Sequence, residues 1–390
     1  MKKLFLTLAV FSLTFGVAMS AYAAEAASSE RAFPVTITKE ELQAKYDAAL
    51  TSGNKVKILV MPGHEPDYGG AQYLDLKERD IAVDIANKLA SELRTNPHYE
   101  VTVARDTLAW NDALSAYFKS EWKKIQKFVK DKKKAMQKLV KKGEVETRNF
   151  AVGHNTAAPD TAYRLYGITK WANENDYDIA IHVHLNDNVG AQYQSGFAVY
   201  VPDREYGNAD ASKAVGQSIA YELNRFNASS TIPVENYGIV EDQELIALGA
   251  YNTAEFASVL VEYAYIYESK ITNAGARKAV LDDMAHQTYR GIEDFFGAPK
   301  GKDTLALPFP WTVGKIATGS STPQIYALQV ALHKLGFYPP QGQLLIGCPI
   351  SGTAGACTTD ALKAFQKSKG WEQTGSIGNL TKAALQKAGF

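Results

Sequence analysis

The sequence predicts an α/β protein with a mixed or largely parallel twisted sheet flanked by helices, plus a small three-helix C-terminal domain. Two observations lead to this fold class. Between residues 55 and 296, short apolar and β-branched runs alternate with amphipathic segments, the pattern of strands and helices in α/β domains. Residues 297–322 are rich in Pro, Gly, Ser and Thr, which indicates a linker, and amphipathic helical segments follow at residues 323–390.

Length and composition indicate a globular protein with one large domain and one smaller one. The chain has 390 residues, of which 46% are hydrophobic, with 42 basic and 42 acidic side chains. The charge is therefore balanced, and we expect no nucleic-acid partner.

Residues 1–23 have the features of a signal peptide. Lys2-Lys3 gives a basic start, residues 4–19 are an apolar run, and Ala21-Tyr22-Ala23 is a cleavage sequence. The apolar run is short for a transmembrane helix. We therefore expect an exported protein, periplasmic or extracellular, whose residues 24–54 form a leader and a short helix.

Residue type and spacing predict the individual elements. Thr38 and Glu41 fit a capping box that begins a helix, and Ile81, Ile85 and Leu89 recur at helical spacing. Apolar, β-branched runs predict strands at residues 56–61, 99–104, 178–184, 196–201 and 257–263. Helices are predicted at residues 38–50, 77–93, 162–173, 209–224 and 276–296, and in the tail at residues 324–335, 358–369 and 381–387.

A lysine-rich segment, Lys119–Lys142, interrupts this alternation. It holds eleven lysines against Glu121 and Asp131, a charge of about +9 in a chain whose net charge is zero. Apolar residues keep a helical spacing through it, which predicts a long helix or one arm of a hairpin, inserted at about residues 110–150. Two interpretations stay open: a solvated face over a packed stripe, or a basic arm that meets an anionic polymer or a membrane surface.

Several polar side chains lie at or within the predicted core strands. His64 follows a strand and a Pro-Gly turn, at the carboxyl end where open α/β sheets place their sites. His182 and His184 alternate along one strand and therefore share a face. Glu262 lies within an apolar strand, where a carboxylate is costly unless it is paired or binds a cation. With Glu78 at a helix start, such residues match a catalytic zinc set that leaves one position for water, and satisfied core polar residues are the alternative.

The order of motifs in residues 56–296 resembles the zinc-dependent N-acetylmuramoyl-L-alanine amidases of the type 3 family, which hydrolyse peptidoglycan. The first stretches are Ile58-Leu-Val-Met-Pro-Gly-His64 with its Gly-Ala loop, Lys77-Glu78 opening a helix, and Val101-Thr-Val-Ala-Arg105-Asp106-Thr107. The later ones are Arg164–Asn173, Asp178-Ile-Ala-Ile-His-Val-His184-Leu-Asn186 and Val259-Leu-Val-Glu262. Several motifs in the family's order make this resemblance specific.

The resemblance implies roles for the site residues. It implies a catalytic role for Glu262 and a Zn²⁺ ion bound by His64, Glu78 and His184. Asn186 matches the Asn that follows the third ligand by two residues, so His184 takes the ligand position and His182 falls where the family has Ser. His182 and Asn186 are then expected to support a ligand or to contact substrate, with a competing ligand role for His182 as the alternative.

The tail resembles the three-helix peptidoglycan-binding module. The similar stretches are residues 327–338 and 358–366, Gly370 and Thr374-Gly375. Within the tail, Cys348 and Cys357 lie nine residues apart in a chain expected to reach an oxidising compartment. This spacing predicts one disulfide, and two buried free thiols are the alternative.

Together the two resemblances imply an exported, cell-wall-associated hydrolase with peptidoglycan as its partner. A catalytic domain at residues 55–296 would cleave the amide bond between N-acetylmuramic acid and L-alanine of the stem peptide, using a zinc-activated water. A wall-binding domain at residues 323–390 would tether it to the polymer. Two alternatives stay open: a zinc peptidase that acts within the stem peptide, and a non-catalytic cell-wall-binding protein.

Overall fold

The structure is a computed structural model that describes residues 32–148, 157–188, 190, 192–235, 238–298 and 311–390. The predicted signal peptide lies outside these residues. Within the described part of the chain, no helix combines the length and the apolar character that crossing a membrane requires.

A mixed, mostly parallel six-stranded sheet forms the centre of the structure. The strands found in the described residues are β1 (Val56–Pro62), β2 (Gln72–Tyr73), β3 (Leu76–Lys77), β4 (Tyr99–Val103), β5 (Ile179–Asn186), β6 (Ala198–Pro202), β7 (Ile239–Asp242) and β8 (Ala257–Tyr265). The sheet order is β4-β1-β5-β8-β6-β7, and β2 pairs with β3 in a separate hairpin. The first four strands of that order run parallel, whereas β6 is antiparallel to β8. The carboxyl ends of β1, β5 and β8 therefore meet at one edge.

Helices cover both faces of the sheet. The helices of the described residues are α1 (Lys39–Ser52), α2 (Glu78–Leu93), α3 (Asp112–Lys142), α4 (Pro159–Glu174), α5 (Ala209–Leu223), α6 (Ser269–Thr272), α7 (Ala274–Phe295), α8 (Pro323–Lys334), α9 (Ala356–Ser368) and α10 (Asn379–Lys387). Helices α2, α5 and α7 pack on one face, and α3, α4 and a 3₁₀ turn at Ile246–Leu248 lie on the other. The predicted fold class is confirmed.

Strand alternation decides which side chains can reach the edge where these strands end. Val183 and Val261 lie in the core formed with α2, α5 and α7. Ala180 of β5 and Leu260 of β8 lie in the clusters on the opposite face. Because alternate residues share a face, His182 and His184 follow Ala180, and Glu262 follows Leu260.

The lysine-rich segment is a single helix, α3. The Asn111 side chain caps its start by accepting a hydrogen bond from the Leu114 amide at 2.9 Å, and Gly143 ends it in the left-handed region. Ile125, Val129 and Met136 form a buried stripe along it. The predicted long helix is thus present, with its apolar stripe against the domain.

The tail packs directly against the α/β domain. Helix α8 lies on α7, and the Tyr326 hydroxyl donates a buried 2.5 Å hydrogen bond to Asp283 Oδ2. Residues of α8 belong to the same apolar core as α7. Cys348 and Cys357 form the predicted disulfide. Part of the predicted linker, from Trp311 onwards, contacts the tail, for example through the indole N–H of Trp311 donating to the Phe390 carbonyl at 3.0 Å.

Candidate metal centre and active site

Three of the predicted site residues form a cluster at the edge where β1 and β5 end. His64 follows β1, Glu78 is the first residue of α2, and His184 lies near the end of β5. One ligand atom from each lies within 4.8 Å of the others. His64 Nε2 is 2.8 Å from Glu78 Oε2, and His184 Nδ1 is 3.0 Å from Glu78 Oε1.

Two backbone amides fix the Glu78 carboxylate. The Ala71 N–H donates to Oε2 at 2.7 Å, and the Leu185 N–H donates to Oε1 at 3.0 Å. Burial alone would raise the pKa of Glu78. The neighbouring imidazoles of His64 and His184, the latter through a hydrogen bond, outweigh this effect, so the pKa of Glu78 lies well below its usual value. The carboxylate is therefore ionised and held in one orientation.

Glycines at two positions allow the cluster to form. A Cβ at Gly63 would lie 2.5 Å from the His184 ring, and a Cβ at Gly70 would lie 2.9 Å from the His64 ring. Gly70 also has a φ of +87°, which side chains rarely adopt. The Pro-Gly and Gly-Gly steps of the sequence thus leave room for the two imidazoles.

Arg105 supports the strained turn that carries His64. His64 has a φ of +64°, an unusual conformation for a residue with a side chain. The buried Arg105 guanidinium donates to the carbonyls of Pro62 at 3.2 Å, His64 at 2.9 Å and Arg79 at 2.9 Å, and also to that of Gly63. One rigid side chain therefore ties the turn after β1 to the start of α2.

His182 lies beside the cluster but outside it. Its ring is buried, and desolvation, followed by the neighbouring His184, lowers its pKa to about 3. The imidazole is therefore neutral at any physiological pH. His182 precedes His184 by two residues on the same face of β5 and therefore lies further from the sheet edge. Its side chain also lines the cleft into which the cluster opens.

Glu262 supplies a second buried carboxylate in this cleft. It is 4% exposed, and its Oε2 atom is a buried oxygen that lacks a hydrogen-bond partner among the described residues. Its Cα pairs with that of His184 across β5 and β8. Burial, and then the charges of Glu78 and Glu235, raise the pKa of Glu262 well above its usual value.

Glu235 is a neighbour that sequence reasoning missed. It is fully buried and accepts hydrogen bonds from the Tyr200 hydroxyl at 2.5 Å, the Tyr265 hydroxyl at 3.2 Å and Asn186 Nδ2 at 3.3 Å. Asn186, a predicted supporting residue, thus donates to Glu235, and it also lines the cleft that holds the cluster. Glu235 lies between predicted elements and belongs to no motif, so its position along the chain gives no signal.

The cluster opens into a cleft of about 770 Å³. Its lining includes the apolar side chains of Trp110, Leu165 and Ile246. It also includes the ion pair of Arg164 with Glu65, in which Arg164 Nη2 lies 3.0 Å from Glu65 Oε2. The cleft therefore offers both apolar surface and charged groups around the cluster.

The donor set fits a zinc ion. Two imidazoles and one carboxylate converge from three elements, and the carboxylate is ionised between the rings. Three protein ligands that leave one position open are typical of catalytic zinc. Glu262, whose Oε2 has no hydrogen-bond partner within the described parts of the chain, lines the same cleft.

Family models match the two parts of the chain separately. A model described as N-acetylmuramoyl-L-alanine amidase matches residues 58–294, which include the cluster and Glu262. A model described as "Putative peptidoglycan binding domain" matches residues 321–385 in the tail. No curated protein matches the chain.

Solved structures of such amidases are similar at low identity. The chain is 17% identical to an N-acetylmuramoyl-L-alanine amidase from Clostridium difficile 630, with 63% of this chain and 100% of that chain covered and a TM-score of 0.40. It is 14% identical to the amidase Ami1 from Mycobacterium smegmatis, with coverages of 62% and 97% and a TM-score of 0.43.

Proposed function

We propose that this chain, which belongs to the N-acetylmuramoyl-L-alanine amidase family, hydrolyses peptidoglycan. The reaction would use a zinc ion bound by His64, Glu78 and His184. The bond cleaved is the amide between N-acetylmuramic acid and L-alanine. The observation that supports the zinc site best is the convergence of the three ligand atoms within 4.8 Å in the cleft.

When bound there, Zn²⁺ would polarise the substrate carbonyl and lower the pKa of a water to about 7. Glu262 then acts as the proton carrier. It takes a proton from the attacking water while the new C–O bond forms, and it delivers that proton to the L-alanine nitrogen as the C–N bond breaks. Burial raises the pKa of Glu262, which makes its ionised form a stronger base for the first of these steps.

The chain's other residues hold this arrangement. Glu78 is fixed by the Ala71 and Leu185 amides, and Arg105 fixes the turn that presents His64. His182 and Asn186 support the ligands or the substrate from the wall of the cleft. The neutral His182 ring adds no charge beside His184.

The tail and the start of the chain complete the proposal. The match to a peptidoglycan-binding family supports a tail that holds the enzyme on its polymeric substrate. We also propose that residues 1–23 direct export, so that the enzyme acts on the cell wall from the periplasm or from outside the cell.

Digestion of a soluble disaccharide muropeptide tests the reaction. The zinc-loaded protein should release the intact stem peptide with a free L-alanine amino end, a chelator should stop the release, and added zinc should restore it. Mass analysis decides, because a zinc peptidase would instead yield a shortened stem still attached to the sugar. A folded, zinc-loaded protein that forms no product would indicate a wall-binding protein without catalysis.

A further inference from the structure

A regular stripe of lysines runs along α3. Exposed lysines recur after four, four, three, four, four and three residues, a repeat that keeps them on one helix face. The stripe consists of Lys119, Lys123, Lys127, Lys130, Lys134, Lys138 and Lys141. From the first to the last it extends for roughly 33 Å, at a rise of about 1.5 Å per residue.

The stripe points away from the domain. The opposite face of α3 carries the buried residues Ile125, Val129 and Met136. Lys132 lies between the two faces, and its Nζ donates to the Asn252 carbonyl at 3.0 Å. The lysines of the stripe thus project from a helix that is itself anchored along its length.

The charge of the chain is strongly asymmetric about this helix. Residues 119–142 hold eleven lysines and two acidic residues, so the remaining 31 basic and 40 acidic residues give the rest of the chain a charge of −9. An anionic surface would attract the stripe and repel the remainder. Such a charge distribution orients a molecule as well as binding it.

We propose that the lysine stripe of α3 is a docking surface for an anionic phospholipid bilayer. A straight row of outward-pointing charges on a convex helix matches a flat surface, whereas recognition of a single polymer chain calls for a groove. The basic residues of the stripe are all lysine, a point charge, and not arginine, which recognises individual phosphates with its fork.

The composition of α3 also defines the mode of binding. Along this helix, which the structure describes in full, no large apolar side chain is among the exposed ones. Docking is therefore electrostatic and superficial, without insertion of apolar groups between the lipids. The attraction should then be screened over a Debye length of about 8 Å at physiological salt.

Vesicle co-sedimentation of residues 24–390, the chain without the proposed signal peptide, tests the proposal. The probes are vesicles of phosphatidylcholine alone and of phosphatidylcholine with about one-third phosphatidylglycerol, at low and at high salt. The protein should bind only the anionic vesicles, and high salt should release it. Replacing Lys123, Lys130, Lys134 and Lys141 with Gln should weaken this binding at least tenfold, because each lysine near an anionic surface contributes substantially.

A variant with the same change in net charge is the control. Lys39, Lys55, Lys278 and Lys367 are exposed outside α3, and their replacement with Gln should change vesicle binding less than twofold. Circular dichroism establishes that both variants are folded. Equal weakening in the two variants would contradict the proposal, and so would binding to a soluble poly(glycerol phosphate) chain without binding to vesicles.

Discussion

The two histidines of β5 have different surroundings although they are only two residues apart on one strand. His184 reaches the Glu78 carboxylate, whereas His182, on the same face, is buried beside His184 with a pKa lowered to about 3.

Measuring the zinc content of alanine variants should distinguish the roles of these histidines. His184→Ala and His64→Ala should each lose the metal, because each opens a three-residue ligand shell. His182→Ala should retain zinc with an affinity reduced by at most ~10–100-fold. Loss of zinc from the His182 variant alone would contradict the ligand assignment.

Arg105 is expected to control zinc binding without touching the metal. Arg105→Lys keeps the charge but removes the fork that reaches the carbonyls around His64. The affinity for zinc, measured by competition with a chelator, should fall by about 10–100-fold. Arg94→Lys is the matched control, because Arg94 lies outside the turn that carries His64 and donates to the exposed carbonyl of Val101. Equal zinc affinity in the two variants would show that the turn holds His64 unaided.

The site residues differ in how far the sequence predicts them. His64, Glu78, His184 and Glu262 lie in motifs, so the resemblance names them, and the structure brings them into one cleft. Glu235 could not be found this way. Its burial depends on hydroxyl groups from β6 and β8, and these long-range contacts leave no mark in the sequence around it.

At the scale of elements, strong hydrophobic periodicity was sufficient to predict strands and helices. Short strands at the edge of the sheet could not be predicted in this way. The strands and helices predicted from apolar runs are all present, with ends that differ by a few residues. β7 was missed because Ile239–Asp242 is only four residues long and half acidic. Its pairing comes from β6, beside which it forms the edge of the sheet.

The disulfide should stabilise the irregular segment between α8 and α9. Cys348 and Cys357 close a loop of nine residues, and a cross-link of this length stabilises by roughly 2–3 kcal/mol through the unfolded chain. The double variant Cys348→Ser, Cys357→Ser should lose about that much in the free energy of unfolding of the tail. Chemical denaturation of the full chain measures it. Unchanged stability, or two reactive thiols in the unreduced parent protein, would contradict this account.

At the scale of the whole molecule, the tail is docked and not merely tethered. The composition of residues 297–322 indicates a linker, but sequence periodicity cannot show that α8 shares a core with α7. The buried Asp283 accepts hydrogen bonds from Tyr326 of the tail at 2.5 Å and from Gln287 at 3.1 Å. Wall binding by the tail would therefore also orient the catalytic cleft.

The Asp283 contact should make stability depend on pH. Burial raises the pKa of Asp283, so the folded state keeps a proton that the unfolded chain releases above about pH 4. The unfolded state binds fewer protons, and the contribution of this group to stability falls as pH rises. Asp283→Asn should therefore gain stability relative to the parent between about pH 4.5 and about pH 7.5 in urea denaturation. The exposed Asp360→Asn is the control, and parallel curves for parent and Asp283→Asn would contradict the prediction.

The central claim is that the protein is a zinc-dependent amidase with Glu262 as its proton carrier. The kinetics of the Glu262→Gln variant test this claim most directly. The variant should be folded and should bind one zinc ion per chain, since the three ligands are untouched. Its kcat on the soluble muropeptide should fall by about 10²–10⁴-fold, the usual contribution of a general acid–base group, with little change in KM. The exposed Glu255→Gln should keep full activity. A folded, zinc-loaded Glu262→Gln enzyme with a kcat within a few-fold of the parent would contradict the account.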